Sequence, residues 1–306
     1  MACGSAAGRS DHLLARSVHP VKPIQLILVP YHLGHVDAGM GAGPARLLSH
    51  GAEAAASAQG HRVSVSRVDA TDLPTHEIGA ALAVNRGLAR LVRQAVERDS
   101  FPLILAGNCN SCLGTLAGLG VSDIGITWFD AHGDFNTPDS SASGFFDGMA
   151  LNAAVGGCWQ TATRSIPGFE PVAENRVGLV GVRDLDAGER RLLGRSAVKV
   201  VEYDEICSRG LQLATAECVE AIEAHTRTAY LHVDLDVLDG DMVPANEFSL
   251  PNGLTPDELD EVLTSIGERL EVRAAAVTAY DPRFDSDGRA ADAALRVIER
   301  LAEVGG

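Results

Sequence analysis

Short apolar segments recur along the chain and are separated by longer stretches with a helical spacing of hydrophobic and polar positions. Most of the short segments are apolar at consecutive positions, which is typical of strands buried on both faces of a parallel sheet. These segments predict strands at 24–29, 63–68, 103–105, 124–129, 177–182, 199–201, 230–235 and 274–277.

The intervening stretches predict helices at 44–58, 78–98, 111–119, 187–194, 211–226, 256–269 and 287–303. The last but one has a clear start, because Thr255 is a favourable N-cap and Pro256 suits the first helical position. The alternation of strands and helices predicts an α/β/α arrangement, and no charge run or low-complexity linker divides it. We expect one domain over residues 21–306, preceded by a flexible tail at 1–20.

Three long loops are predicted to form a ligand pocket. In open parallel sheets, ligands bind beyond the carboxyl ends of the strands. The loops at 30–43, 135–148 and 237–254 are Gly-rich or polar and follow predicted strands, so we expect them to be the pocket walls.

The charge balance excludes several classes of partner. The chain has 41 acidic and 25 basic residues, with a formal net charge of −16. Polyanions would be repelled, so we expect neither nucleic acid nor a membrane surface as a partner. No segment approaches the ~20 apolar residues of a membrane span. The six cysteines are scattered and no signal-peptide core precedes them, which favours reduced thiols in the cytoplasm.

Two predicted strands end in clusters of metal-type ligands, WFDAHGDFN at 128–136 and HVDLDVLD at 232–239. Side chains on a strand alternate faces, so alternate residues of each cluster can project together. These residues are Asp130, His132 and Asp134 in the first cluster, and Asp234 and Asp236 in the second. Buried without a cation, their carboxylates would repel one another strongly. The pattern predicts a divalent ion, or a close pair of ions, and a metallohydrolase.

The motifs resemble those of the arginase/agmatinase/formiminoglutamase (ureohydrolase) family over nearly the whole chain. DAHGDFNTPDSSASG at 130–144 is similar to the family's second metal motif with its substrate loop, and DLDVLDGDMVPA at 234–245 is similar to the third. FPLILAGNCNSCLGT at 101–115 lies where the first motif belongs, and GVRDLDAGE at 181–189 resembles the segment that binds the substrate's amino group. The resemblance implies a three-layer sandwich around an eight-stranded parallel sheet, and a homo-oligomer that is a trimer or a hexamer.

The resemblance also implies a cofactor of two Mn(II) ions per subunit, bridged by a hydroxide. Asp130 and Asp234 would bridge both ions. His132 and Asp236 would complete one site, and Asp134 would serve the other. Carboxylate oxygens with a single imidazole suit Mn(II). The hydroxide, available at neutral pH, would attack the planar carbon of a guanidine or amidine, and Asp134 would pass the proton to the departing nitrogen.

Substrate contacts are implied in the same way. Asn136 and Ser143 match positions that hold an α-carboxylate. Asp186 matches the position that holds the α-ammonium, with Glu189 close behind. These residues imply an arginine-like amino acid as substrate. Agmatine lacks the carboxylate and would leave Asn136 and Ser143 unsatisfied, at a cost of ~1–3 kcal/mol per unpaired group.

The chain departs from the family at the first motif and at the pocket mouth. Cys109, preceded by Asn108, aligns with the family's His ligand and its preceding Asp. A thiolate is a soft ligand that favours zinc or iron, or a single ion, over a manganese pair. Alternatively, Cys109 is a buried thiol beside a weak or empty site. Asp147 stands where arginases carry a proton-shuttling His. It is either a catalytic residue or, given its low reference pKa, a polar loop carboxylate.

Another departure concerns the guanidinium. Ala279 falls where the family has a Glu that pairs with this group, and an unpaired buried guanidinium is costly. Either Glu247 supplies the charge or the reacting group is less basic than that of arginine. An N-hydroxyguanidine is less basic, so the leading prediction is hydrolysis of N-hydroxy-L-arginine to L-ornithine, followed by hydrolysis of L-arginine.

Two alternatives remain open. The chain could be a catalytically impaired relative that binds an amino acid as a regulator, for which Cys109, Asp147 and Ala279 are the evidence. It could also hydrolyse another amidine, such as a formimino amino acid. The many clustered carboxylates argue against a pure binder, because binding an amino acid does not require them.

Overall fold

The computed structural model describes residues 21–306, so the tail predicted at 1–20 lies outside the described residues. The strands are β1 Ile24–Val29, β2 Tyr31–His32, β3 His35–Val36, β4 Val63–Arg67, β5 Phe101–Ala106, β6 Gly125–Phe129, β7 Val177–Val182, β8 Lys199–Glu202, β9 Thr228–Asp234 and β10 Glu271–Thr278. The α-helices are α1 Gly43–His50, α2 Ala52–Ser57, α3 Glu77–Glu97, α4 Cys112–Leu119, α5 Ala150–Ala154, α6 Gln160–Thr163, α7 Ala187–Leu193, α8 Tyr203–Arg209, α9 Leu211–Glu223, α10 Pro256–Arg269 and α11 Arg289–Gly305.

An eight-stranded sheet in the order β4-β1-β5-β10-β9-β6-β7-β8 forms the middle layer, with every pair parallel. This confirms the predicted fold class. One apolar core lies between the sheet and α1, α2 and α8 to α11, and a second lies between the opposite face and α3, α4, α5 and α7. The central strands are buried on both faces, which explains their continuous apolar sequences.

All eight predicted strands of the sheet are present, with ends that differ by up to three residues. The predicted helix at 44–58 is two helices, because Gly51 adopts φ 124° and breaks the chain between them. Thr255 caps α10 in a full capping box with Glu258, as predicted for its N-cap. The short hairpin of β2 and β3, and the helices α5, α6 and α8, were not predicted, because they are too short to show a period. Among the described residues, none of the helices has the length and apolarity needed to cross a membrane.

Gly107 joins β5 to the segment that carries Cys109, and the backbone of an earlier loop packs directly against it. A Cβ atom at Gly107 would lie 2.4 Å from the carbonyl oxygen of Tyr31 and 2.7 Å from the amide nitrogen of Gly41. Both contacts are with backbone atoms, which a side-chain rotation cannot relieve. The loop at 30–43 and the first-motif loop therefore hold each other in position.

We expect Gly107→Ala to lower the free energy of unfolding by roughly 1–3 kcal/mol, because overpacking forces the backbone to shift. Urea unfolding followed by circular dichroism measures this change. Gly148→Ala is the matched control, since a Cβ atom there would meet nothing within 4 Å. Equal stability of the two variants would contradict the packing described for Gly107.

Candidate metal centre

A cavity of about 260 Å³ opens at the carboxyl ends of the four central strands, β5, β10, β9 and β6. Each of these strands delivers a lining residue where it ends: Cys109 after β5, Asp130 after β6, Asp234 on β9 and Ala279 after β10. Pairing of Phe129 with Val233 sets β6 beside β9, so the two acidic clusters become neighbours. The three predicted wall loops all contribute to the lining.

The acidic residues converge, but not by the strand alternation that the sequence suggested. The strand β6 ends at Phe129, so Asp130, His132 and Asp134 lie in the following loop. Asp134 has a left-handed backbone with φ 49°, which is uncommon for a residue other than glycine. Asp236 lies in a short 3₁₀ helix after β9. Loop geometry, and not the pleat of a strand, therefore brings these side chains together.

The four carboxylates are almost completely buried. Asp130, Asp134, Asp234 and Asp236 expose between 1 % and 7 % of their surface. Each oxygen of Asp130 accepts a hydrogen bond: Oδ1 from the amide of His132 at 2.7 Å and Oδ2 from Nε1 of Trp128 at 3.0 Å. Oδ1 of Asp234 accepts one from the amide of Asp236 at 2.9 Å. These donors fix the directions in which the carboxylates face the cavity.

Burial and mutual repulsion dominate the electrostatics of the cluster. Burial and the charge of Asp236 raise the pKa of Asp130 to about 6. Burial and neighbouring carboxylates raise the pKa values of Asp134 and Asp234 well above their usual range. Burial opposes the charged form of Asp236 as well, but the nearby charge of His132 holds its pKa below the usual value. The chain itself therefore supplies too little positive charge to neutralise these carboxylates.

Two sets of side-chain atoms in the cavity fit the donor requirements of a metal ion. One set is Cys109, Asp130 and Asp134, and the other is Asp130, His132 and Asp236. Within each set, the candidate ligand atoms all lie within 4.8 Å of one another. Asp130 belongs to both sets, and Asp234 lies beside the first, since its Oδ2 is 2.9 Å from Sγ of Cys109. The residues present therefore suit a close pair of divalent cations.

Cys109 is 2 % exposed, and its sulfur lies 2.9 Å from Oδ2 of Asp234 and 3.1 Å from Oγ1 of Thr278. Burial and the charge of Asp234 raise the pKa of the thiol well above its usual value. Without a cation, Cys109 is therefore a protonated thiol that donates to Asp234. Its sulfur is nonetheless positioned among the predicted ligands.

Asp147 is held by the segment that contains Cys109. Its Oδ1 accepts hydrogen bonds from the amide of Asn110 at 2.7 Å and from Nδ2 of Asn110 at 3.0 Å, and its Oδ2 accepts one from Nδ2 of Asn108. Burial raises its pKa to about 6 in spite of these donors. The carboxylate lines the cavity, yet both oxygens are already occupied.

The predicted substrate residues form one polar wall. Nδ2 of Asn136 donates to Oδ2 of Asp186 at 3.1 Å, and Oδ1 of Asn136 accepts from the hydroxyl of Ser140 at 2.8 Å. Glu189 is 4 % exposed and accepts from the amide of Phe135 at 2.7 Å. Ser143 is exposed at the rim of the same cavity.

Glu247 differs from the other predicted substrate residues. It is exposed, and the cavity wall at this point is made by its neighbours Asn246 and Phe248. Asn246 donates to the carbonyl of Ala279 at 2.8 Å and lies 3.4 Å from Oδ2 of Asp236. Sequence reasoning did not single out Asn246 or Phe248, and only their place directly after the third motif could have indicated them.

A sequence model described as "Arginase family" matches residues 22–303 of the chain. The chain is 30% identical over 298 residues to the arginase of Bacillus caldovelox, covering 92% of this chain and 98% of that protein. It is 28% identical over 294 residues to the arginase of Bacillus subtilis, covering 92% and 97%. The solved structure of the Bacillus caldovelox arginase superposes with a TM-score of 0.85 at 28% identity, over 92% of this chain and 98% of that one.

The match of the family model over nearly all of the described residues agrees with the sheet order, the acidic strand ends and the cavity between them. The chain belongs to the arginase family, whose members are metal-dependent amidinohydrolases.

Proposed function

We propose that the chain hydrolyses a C–N bond in the guanidine or amidine group of an arginine-like α-amino acid. One observation carries this proposal: the buried ligand atoms of two overlapping sets line the same cavity as a polar, amino-acid-type wall. A protein that only binds an amino acid has no need to bury four carboxylates together.

The cation centre would consist of two Mn(II) ions. Asp130 and Asp234 would contribute to both sites, His132 and Asp236 would complete one, and Asp134 and Cys109 would serve the other. The oxygen-rich donor set supports manganese, while the sulfur of Cys109 keeps zinc or iron, or a single ion, as alternatives. When bound, divalent ions would supply hydroxide at neutral pH by lowering the pKa of water.

Asp134 would move the proton in this reaction. As the oxygen of water bonds to the central carbon, its proton would pass to Asp134 and then to the departing nitrogen as the C–N bond breaks. The left-handed backbone at Asp134 holds its carboxylate toward the other ligands. Asp147 already accepts three hydrogen bonds from Asn108 and Asn110, so we assign it the lesser part.

The polar wall would bind the amino-acid end of the substrate. Ser140 and Asp186 hold the Asn136 amide, which leaves one N–H of its Nδ2 for an α-carboxylate, with the hydroxyl of Ser143 nearby at the rim. Asp186 and Glu189 would receive the α-ammonium. This arrangement supports an α-amino acid over agmatine, which has no carboxylate to meet the donors.

The apolar part of the cavity lining supports a weakly basic reacting group. Ala279, Phe145, Phe248 and Met40 belong to this lining, and Ala279 stands where the family has a carboxylate for the guanidinium. Desolvating a full positive charge without that carboxylate is costly. We therefore propose N-hydroxy-L-arginine as the first substrate, with L-ornithine as the product, and L-arginine as the second.

A second candidate is a relative that binds an amino acid and no longer turns it over. The observation that favours it is Asp147, because Asn108 and Asn110 hold its carboxylate with three hydrogen bonds where arginases have a proton-shuttling His. Activity assays distinguish this candidate from a hydrolase of another amidine, such as a formimino amino acid.

We expect metal-free protein to bind about two Mn(II) ions per chain and then to release L-ornithine from N-hydroxy-L-arginine. At ion concentrations ~100-fold above the dissociation constant, binding should add about 3 kcal/mol per ion to the free energy of unfolding. Metal analysis and thermal unfolding measure the metal binding and the gain in stability. Turnover is measured as release of L-ornithine from N-hydroxy-L-arginine and L-arginine and, as the negative case, as release of putrescine from agmatine. Asp234→Asn should abolish the binding, the gain in stability and the turnover, and the exposed Asp204→Asn should not. Unchanged stability with Mn(II), and no turnover of any amidine, would refute the proposal.

Ala279→Glu should shift preference toward L-arginine. A carboxylate at this position would pair with the guanidinium, and a charge-assisted hydrogen bond of roughly 1.5–3 kcal/mol corresponds to a roughly ten- to hundredfold change. The quantity to measure is the ratio of kcat/KM for L-arginine to that for N-hydroxy-L-arginine. Ala279→Gln has a similar shape without the charge and should leave the ratio close to that of the wild type. An equal ratio in all three proteins would show that Ala279 does not determine which substrate is preferred.

Glu189→Gln should remove part of the pH dependence of folding in metal-free protein. Burial and the charges of Asp130 and Asp186 raise the pKa of Glu189 to about 7. The folded state therefore holds the proton more tightly than the unfolded state. The resulting stability is fully present below pH ~4.5 and is lost, by roughly 3 kcal/mol, as the pH rises through about 7.

Urea unfolding of metal-free wild type and Glu189→Gln between pH 4 and 8 measures this contribution as a difference in slope. Glu97→Gln, at an exposed helical position, is the surface control. If Glu189→Gln and the wild type lost stability in parallel over this range, Glu189 would not be the group that titrates.

A further inference from the structure

A series of hydrogen-bonded side chains extends from the interior of the sheet to the sulfur of Cys109. The hydroxyl of Tyr230 lies 2.8 Å from Nδ1 of His232, and Nε2 of His232 lies 3.3 Å from Oγ1 of Thr278. Oγ1 of Thr278 lies 3.1 Å from Sγ of Cys109. Tyr230, His232 and Thr278 are completely buried, so protein groups take the place of water as their hydrogen-bond partners.

His232 is fixed by stacking as well as by hydrogen bonds. The Trp128 ring lies parallel to it, with centroids 3.6 Å apart and planes 10° apart, and the two residues are paired across β6 and β9. The same Trp128 donates through Nε1 to Oδ2 of Asp130. One buried aromatic stack therefore supports both Cys109 and Asp130, which belong to the same predicted set of ligands.

One assignment of donors satisfies every contact in this series. A neutral imidazole has one N–H and one acceptor nitrogen. If the hydroxyl of Tyr230 donates to Nδ1, the N–H is on Nε2 and donates to Oγ1 of Thr278. The Thr278 hydroxyl is then free to donate to Sγ of Cys109 at 3.1 Å, with the carbonyl of Val233 at 3.4 Å as the less favourable acceptor.

We propose that Thr278, held by His232 and Tyr230, is a positioning residue that donates a hydrogen bond to the sulfur of Cys109 when that sulfur binds the cation. This inference rests on the part of the proposed function that makes Cys109 a ligand. Groups that hydrogen-bond to a ligand orient it and tune its donor strength. A hydrogen bond to a thiolate withdraws electron density from the sulfur. The soft sulfur then resembles more closely the hard oxygen ligands of the same centre.

The test uses Co(II), whose complexes with thiolates absorb through sulfur-to-metal charge transfer. The full chain is freed of metal, loaded with Co(II) and recorded as wild type, Thr278→Val and Thr278→Ser. We expect a charge-transfer band in the wild type, a shift of this band to longer wavelength in Thr278→Val, and a return toward the wild-type position in Thr278→Ser. The affinity for Co(II) should fall roughly tenfold in Thr278→Val and recover in Thr278→Ser.

Thr127 offers a matched control for replacing a buried hydroxyl with a methyl group. It lies on β6, is completely buried, and its hydroxyl has no hydrogen-bond partner among the described residues. Thr127→Val should leave both the band and the affinity unchanged. Circular dichroism shows which variants fold, and if Thr278→Val does not, Thr278→Ala takes its place with the same expected shift.

The possible results distinguish a failure of the role proposed for Thr278 from a failure of the proposed function. If the band is present and Thr278→Val does not move it, the role of Thr278 is refuted while Cys109 remains a ligand. If the wild type binds Co(II) without a charge-transfer band, and Cys109→Ala binds equally well, Cys109 is not a ligand and the inference falls. Hydrolysis of N-hydroxy-L-arginine, measured on the same samples, tests the proposed activity independently of either result.

Discussion

The repulsion between four buried carboxylates at the ends of two neighbouring strands is the constraint on which the site depends. Folding brings Asp130 and Asp234 together because β6 pairs with β9, and the same sheet removes them from water. Apart from His132, nothing among the predicted ligands opposes their charge, so burial raises the pKa values of three of the four. A bound cation would relieve this repulsion, which would link metal binding to the stability of the cavity.

Much of this arrangement could be predicted from the sequence because the signals are local. A continuous apolar segment that runs into Asp-x-His-x-Asp or Asp-x-Asp specifies a buried strand and the ligands at its end, and parallel strands align their carboxyl ends. The order β10-β9-β6 does not follow the order of the chain, so the strand pattern alone does not predict that the two clusters are neighbours. That position was implied only by the family resemblance. The local geometry was predicted less well: Asp134 reaches the centre through a left-handed loop residue, which no alternation pattern contains.

The side chains that hold the predicted ligands in place could not be predicted from the sequence, for a different reason. His232 could be interpreted only as a core or supporting histidine, since its partners Trp128 and Thr278 lie on other strands and are brought near by register. The same applies to Asn246, which bridges the carbonyl of Ala279 and the carboxylate of Asp236. Contacts of this kind depend on pairing across the sheet, and a single sequence does not carry that information.

The departures from the family pattern are grouped in space, although they are dispersed along the chain. Asn108 stands where the family's first motif has an Asp, and it donates a hydrogen bond to Asp147. A carboxylate is therefore still present beside this motif. Cys109 contacts Thr278, and Ala279 follows directly on the same strand end. The ligands that follow β6 and β9, in contrast, retain the family pattern.

Residues in contact couple their effects on stability and binding, so changes on this side of the cavity are not independent of one another. A histidine at position 109, for example, would follow Asn108 in place of the Asp of the family's first motif, and would lie near the hydroxyl of Thr278. The grouping therefore supports our proposal that this half of the centre is remodelled around Cys109 and the uncharged Ala279, over a random loss of catalytic residues. It is the physical reason to treat substrate choice and the sulfur ligand as one problem.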